Sequence, residues 1–306
     1  MPEPDPGRPG ALRAWAVALR PRSLGIAASP VAVGAALALA RAGAVDVRLA
    51  ALALAAALLM QAATNLQNDV GHTLRVGAAA TAHPGLPRAT AQGWISVRAL
   101  RRAIVLVGLL ATTIGLALAA LRGWPVLAIG VLSLAAALAY MGGPRPIAYT
   151  ALGEATVFAF FGPVAVCGTE WLLAGSASAA GALAGAAMGA LAAAALAVNN
   201  RRDIEHDRAV GRRSFAVRFG EAAARRLFEA LLLAPFVLLP ALAWALRSPA
   251  PLLPLALLPR ALALKREFAR CAAPGAFTAL LLRCFGLVPA FGLLLALGVA
   301  AVRWIG

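Results

Sequence analysis

Lysine is almost missing from this chain: Lys265 stands alone among 28 basic residues, and the rest are arginine. An arginine bias of this strength reflects a GC-rich bacterial coding background and by itself assigns no function. Charge of either sign is scarce, at 13% of 306 residues with only 12 acidic side chains, whereas a soluble protein carries about 25%. That shortage excludes an ordinary soluble globule. Cysteine occurs three times, at Cys167, Cys271 and Cys284; the three are scattered without metal-ligand spacing and read as small core residues. The dyad alternation of outer-membrane strands is absent too, which excludes a β-barrel. The opening "MPEPDPGRPG" lacks the basic start of a secretory signal, so the N-terminus is expected to be retained.

What the chain has instead is apolar length. Hydrophobic residues make up 62% of it, in Leu, Ala and Gly runs long enough for the roughly 20 residues that a helix needs to cross a bilayer. In lipid each backbone polar group must be satisfied within its own segment, so the spans are helices. The expectation is an all-α integral membrane protein with nine transmembrane helices, near 23–40, 49–67, 103–121, 124–140, 151–174, 178–199, 227–246, 248–264 and 276–302, with Pro163 and Pro289 as kink sites. The N-terminus and the 68–102, 141–150, 200–226 and 265–275 loops carry 4, 5, 1, 8 and 3 basic residues, 21 in all, against 5 on the other side. The positive-inside rule places the first set in the cytoplasm and the C-terminus outside. The net charge of +16 then belongs to loops facing anionic lipid and implies no nucleic acid partner. Residues 1–22 form a cytoplasmic N-terminus in which "ALRAWAVALRPR" reads as an interfacial helix. Residues 23–306 form a single nine-helix domain.

Two polar clusters interrupt the apolar pattern. "NLQNDVGH" (Asn65 to His72) closes the second span, and "NNRRDIEHDRAVGRRSFAVRFG" (Asn199 to Gly220) follows the sixth, about 130 residues later. Polar groups at helix depth are costly and usually functional, and their matching placement suggests two pseudo-repeated halves with a site between them. Asn199, Asp203 and Asp207 are spaced i, i+4, i+8, one stripe if the helix continues through them. Carboxylates so close call for a cation, and hard oxygens suit Mg²⁺ shared with substrate phosphate. Arg201, Arg202, Arg208, Arg212, Arg213 and Arg218 surround them as phosphate-matching groups. An ordinary charged loop of mutually cancelling ion pairs is the competing reading.

Four stretches, "RPRSL" (Arg20 to Leu24), "NLQNDVGH" with "GLPRATAQGWIS", "GGPRPIAYTALGEATVFAFFGPVAVCGT" and "NNRRDIEHDRAVGRRSFAVRFG", resemble the UbiA superfamily of intramembrane aromatic prenyltransferases. Within it the likeness runs to the enzymes that prenylate 1,4-dihydroxy-2-naphthoate in menaquinone synthesis. The resemblance implies a nine-helix bundle around a central cavity in the bacterial inner (cytoplasmic) membrane. It also implies a polyprenyl diphosphate and an aromatic acceptor as substrates, and Mg²⁺, with Mn²⁺ as the alternative. By the same resemblance Asp69, Asp203 and Asp207 are the catalytic and metal-holding acids. Asn65, Asn68, Asn199, Asn200, Arg20, Arg22, Arg88, Arg145 and Arg212 fall to substrate binding. Tyr149 and Glu154 lie in the stretch expected near the acceptor.

The likeness breaks at one place. Where the family motif reads Asn-Asp-x-x-Asp with a further Asp beyond, this chain has His72 and Ala78. Three readings stay open: His72 ligates a metal, for which imidazole suits Zn²⁺ or Mn²⁺ better than Mg²⁺; Asp69 serves with Asn65 in an altered site; or diphosphate chemistry is lost. The last would leave a non-catalytic protein that binds or moves an isoprenoid lipid. His83 and His206 read as solvated loop residues.

Overall fold

The structure is a computed structural model describing residues 9–77 and 85–305; Ala78 and His83 lie outside the described residues. Every regular element among them is helical. The order is α1 (Ala11–Leu19), α2 (Pro21–Ala42), α3 (Val47–Val76), α4 (Val97–Arg122), α5 (Trp124–Met141), α6 (Gly153–Ala159), α7 (Ala165–Ala174), α8 (Ala179–Arg202), α9 (Ile204–Ala209), α10 (Phe215–Ala245), α11 (Leu258–Arg270) and α12 (Pro274–Ile305). The boundaries follow local chemistry. Pro21 opens α2, where its missing N–H is no loss. Asp46 caps α3 by accepting from the Arg48 and Leu49 amides, and Ser96 and Ser178 cap α4 and α8 in the same way.

Among the described residues eight helical segments are long and apolar enough to span a membrane, and this is a multi-pass membrane protein. The ninth expected span, 248–264, is broken: Ala250–Leu257 is a 3-10 helix that passes into α11. Pro249, Pro251, Pro254 and Pro259 remove the amides that an α-helix would need there. The 3-10 form stretches the chain, so its eight residues rise roughly 16 Å and the thirteen of α11 roughly 20 Å, together enough to cross. A second break falls in "FFGPV", where α6 and α7 join through a π-turn, Phe160–Val164, and Gly162 leaves helical geometry (φ −120°, ψ −107°). The seventh span is preceded by a short helical turn from Phe215, set off from it by a kink at Gly220 (φ 82°, ψ 172°).

The bundle is packed on one side and hollow on the other. Around α8, α10, α11 and α12, Phe228, Phe236, Phe268, Phe277 and Phe291 interlock, with Phe228 stacked on Phe268 at 4.3 Å. Helix α8, rich in Ala and Gly, is the buried central post, and its small side chains let neighbours come close. Helices α4 and α5 show most of their surface to the outside. A cavity of about 470 Å³ lies between α3, α4 and α5 on one side and α2, α6, α7 and α8 on the other.

Candidate active site

One end of that cavity, its mouth, is polar and cationic. It is assembled where the C-terminal turns of α3 and α8 meet the α1–α2 corner and the loops after α3 and α9. Arg20, Arg88, Arg202, Arg212, Asn68 and Asn199 line it. Arg20 sits at the corner itself in the left-handed region (φ 51°, ψ 64°), a conformation that costs a non-glycine residue roughly 1 kcal/mol or more. Burial lowers the Arg20 guanidinium from its ordinary pKa, and burial followed by the charge of Arg20 lowers that of Arg88. The Nε–H groups of both are buried without an acceptor. Crowded cations with unused donors describe a place for an anion.

The other two arginines are held by acids. Arg202 grips Asp203 with Nε and Nη2, at 2.7 and 2.9 Å, and Nη2 also donates to Asn199 Oδ1. Arg212 donates to Asp207 Oδ1 at 3.0 Å and to the Ala148 carbonyl at 2.8 Å. Asp203 caps α8 and α9 follows at once, yet the Asp203 and Asp207 amides still reach back to the carbonyls four residues earlier. The stripe expected of Asn199, Asp203 and Asp207 is therefore nearly kept, and the Asn199 amide donates to Asp203 at 3.3 Å. Burial, opposed by Arg212, lifts the Asp207 carboxyl to about 6. Asn200 lies behind the mouth, donating to Glu154 at 2.9 Å and facing Arg212.

Asp69 has a different setting. It is fully buried, and its oxygens accept from the Ala89 and Thr90 amides at 2.8 and 2.9 Å and from the Thr90 hydroxyl. The acid expected to hold metal thus ties the Arg88 loop to α3. His72 is buried one turn further on, its ring 5.6 Å from that of His206, so the two polar clusters meet through imidazoles. Arg22 and Arg145 are exposed and do not line the cavity. Tyr149 stands beside it, between Arg75 and Arg212, whose guanidinium carbons lie 5.4 and 5.8 Å from its ring; burial raises its hydroxyl pKa. Of the six arginines in the second cluster only Arg202 and Arg212 reach the mouth; Arg201 pairs with Glu221, Arg208 with Glu205, Arg218 packs on Phe219 and Arg213 is exposed.

Among the described residues no three His, Cys, Asp or Glu side chains converge as a ready-made metal cage. Mg²⁺ does not require one, since it takes one or two carboxylates and completes its shell with waters and phosphate. Asn68 Oδ1 is a buried oxygen that meets no hydrogen-bond donor, and a hard cation suits such an unused lone pair.

A cationic mouth over an apolar chamber, inside a helical bundle, is the layout of an intramembrane protein for a lipid with an anionic head. The pattern of the UbiA prenyltransferase family matches residues 27–275. The chain is 37% identical over 233 residues to 1,4-dihydroxy-2-naphthoate octaprenyltransferase of Escherichia coli (strain K12), covering 74% of this chain and 75% of that one. The enzyme of the same description from Mycobacterium tuberculosis is 34% identical, with 75% and 79% covered. In fold the chain matches a UbiA homologue from Archaeoglobus fulgidus bound to GPP and Mg²⁺ with a TM-score of 0.67, at 19% identity and over 95% of this chain and 100% of that one. This chain belongs to the UbiA prenyltransferase family, and it is a UbiA-type prenyltransferase.

Proposed function

We propose that the protein transfers a polyprenyl group from a polyprenyl diphosphate to an electron-rich aromatic acceptor of the 1,4-dihydroxy-2-naphthoate kind, in quinone biosynthesis. The observation that carries this reading is the pair of buried, unsatisfied guanidinium donors on Arg20 and Arg88 above an apolar chamber. The diphosphate lies among Arg20, Arg88, Arg202 and Arg212, and the hydrocarbon runs into the cavity. The allylic C–O bond breaks, its electron pair leaves on the diphosphate, and the ring carbon attacks the cation; with a naphthoate acceptor the displaced carboxyl departs as CO₂. The arginines oppose the charge growing on the leaving group. The apolar walls keep water from the cation. Mg²⁺ or Mn²⁺, when bound, adds charge neutralisation at the phosphates, and Asn68, Asp203 and Asp207 would hold it with His72 beside them. Asp69 we assign to positioning the Arg88 loop. By the charge count the mouth faces the cytoplasm of a bacterial inner membrane, as does the N-terminus.

Purified protein given geranyl diphosphate, 1,4-dihydroxy-2-naphthoate and Mg²⁺ should release diphosphate and yield a prenylated product. Arg88→Gln should raise the KM for geranyl diphosphate at least tenfold while leaving that for the acceptor near its original value. The competing reading, an isoprenoid-binding protein without catalysis, is favoured by the occupied oxygens of Asp69 and Asp203. It predicts binding of the diphosphate with no Mg²⁺ requirement and no product.

A further inference from the structure

One polar group in the cavity wall is explained neither by an anionic head nor by a hydrocarbon tail. Gln61 lies on α3 one turn before Asn65 and two before Asn68, so the three amides share a face of the helix. It is only 9% exposed and lines the cavity. The directions of the surrounding hydrogen bonds fix which way its amide points. The Leu19 carbonyl can only accept, so Asn65 Nδ2 faces it at 2.8 Å and Asn65 Oδ1 is left facing Gln61. Gln61 Nε2 donates to that oxygen at 3.1 Å. The Ser23 hydroxyl donates to the Arg20 carbonyl, so its oxygen accepts from Asn65 Nδ2 at 2.9 Å and from Gln61 Nε2 at 3.2 Å.

Both Gln61 N–H groups are thus engaged. Reversing the amide would set Gln61 Oε1 against Asn65 Oδ1, two acceptors with no proton between them. Gln61 Oε1 therefore remains, buried and without a hydrogen-bond partner. Its neighbours along the same wall, Ala57 and Met60, are apolar, and the Thr64 hydroxyl is turned back to the Met60 carbonyl at 2.9 Å. A bare carbonyl at this depth in a membrane protein marks a ligand contact.

We propose that Gln61 Oε1 anchors the aromatic co-substrate by accepting a hydrogen bond from a ring hydroxyl. The assignment rests on the prenyl-transfer reading and names the polar contact of its second substrate. An ionised diphosphate has no proton to donate and is repelled by a carbonyl oxygen, and a polyprenyl tail has no polar hydrogen. A hydroxyaromatic has one. Residue 61 lies roughly 10 Å along the helix axis from residue 68, far enough for the ring to sit below the diphosphate with its reacting edge beneath the departing carbon. The hydrogen bond also draws the hydroxyl proton outward, which leaves more electron density on the ring for attack. Ser23 and Asn65 are positioning residues in this scheme, since they act by holding the Gln61 amide.

The test uses the full chain in detergent with 1,4-dihydroxy-2-naphthoate, its two mono-methyl ethers and geranyl diphosphate. Gln61→Met keeps the length of the side chain and removes the amide. The naphthoate KM should rise on the order of tenfold, the loss of one hydrogen bond, with the geranyl diphosphate KM within twofold of wild type. Calorimetric titration of naphthoate without Mg²⁺ or geranyl diphosphate should show the same weakening. Wild type should discriminate against one of the two ethers, and Gln61→Met should not. Unchanged naphthoate affinity in the variant overturns the anchor role alone. Equal weakening toward naphthoate and both ethers also overturns it, because that is a packing effect. Wild type that binds geranyl diphosphate but neither binds nor prenylates naphthoate overturns the acceptor reading and the anchor with it. If Gln61→Met does not fold, Ser23→Ala is judged by the same criteria, with a smaller expected rise.

Discussion

Two aspartates that look alike in the sequence do different work in the fold. Asp69 carries three hydrogen bonds from a loop twenty residues away, whereas Asp203 is held by its neighbour Arg202 at the cavity mouth. Helical spacing placed Asn199 and Asp203 on one face correctly, because that relation is local. It could not reveal Thr90 returning to Asp69, nor that Arg22 and Arg145 stay outside, because loop paths leave no periodic trace. Gln61 was legible in principle as an amide four residues before Asn65; its surroundings in an apolar run hid it. Asp69→Ala should leave two buried amides unpaired, lower stability by about 2–4 kcal/mol and open residues 85–95 to protease, with or without Mg²⁺. A variant of unchanged melting temperature and weakened Mg²⁺ dependence would instead make Asp69 a ligand. Asp203→Asn should cut turnover at least 100-fold, the scale seen when a charge-stabilising group is lost, while still binding acceptor; near-normal turnover would remove it from the metal site.

At the scale of elements, the apolar run lengths located eight spans and the approximate region of the ninth. The breaks within them were less visible. Pro163 was read as a kink, but the π-turn around it depends on a neighbour: Gly162 lies against Gly189 and Gly185 of α8, where a Cβ would come within 2.7 Å of the Gly189 Cα. A Cβ on Gly189 would strike the Phe158 carbonyl. This contact sets how closely the α6–α7 segment approaches the central post, and hence the width of the cavity. Gly189→Ala should destabilise the protein by about 1–3 kcal/mol, as overpacking does, and lower turnover in proportion to the misplacement of that wall. A thermal melt equal to wild type would show the crossing to be slack. At the end of the bundle away from the mouth, Arg41 reaches Glu170 at 2.7 Å and also bonds Ser176. Glu170 in addition accepts from the Ser178 amide that begins α8. Glu170→Ala should therefore lower the melting temperature without altering either substrate KM, since the pair lies far from the arginines of the mouth.

For the whole molecule, the packed side and the hollow side have different tolerances. The interlocked phenylalanines fix α8 against α10 and α12, while the end of α3 is held by a smaller core of Ala14, Ala18, Leu66, Val70, Ala89, Ile95 and Leu100. The opposite wall includes Leu116, Leu127 and Val131, which border the cavity and are nevertheless 55%, 42% and 57% exposed. In a bilayer, acyl chains complete that wall. A chamber closed by protein measures its substrate, as a mould measures a casting. A chamber closed by fluid lipid has no far end against which a tail can be measured. Donors of roughly ten to forty carbons should then be turned over within about an order of magnitude of one another in lipid nanodiscs, and a sharp optimum at one tail length would show that protein closes the chamber.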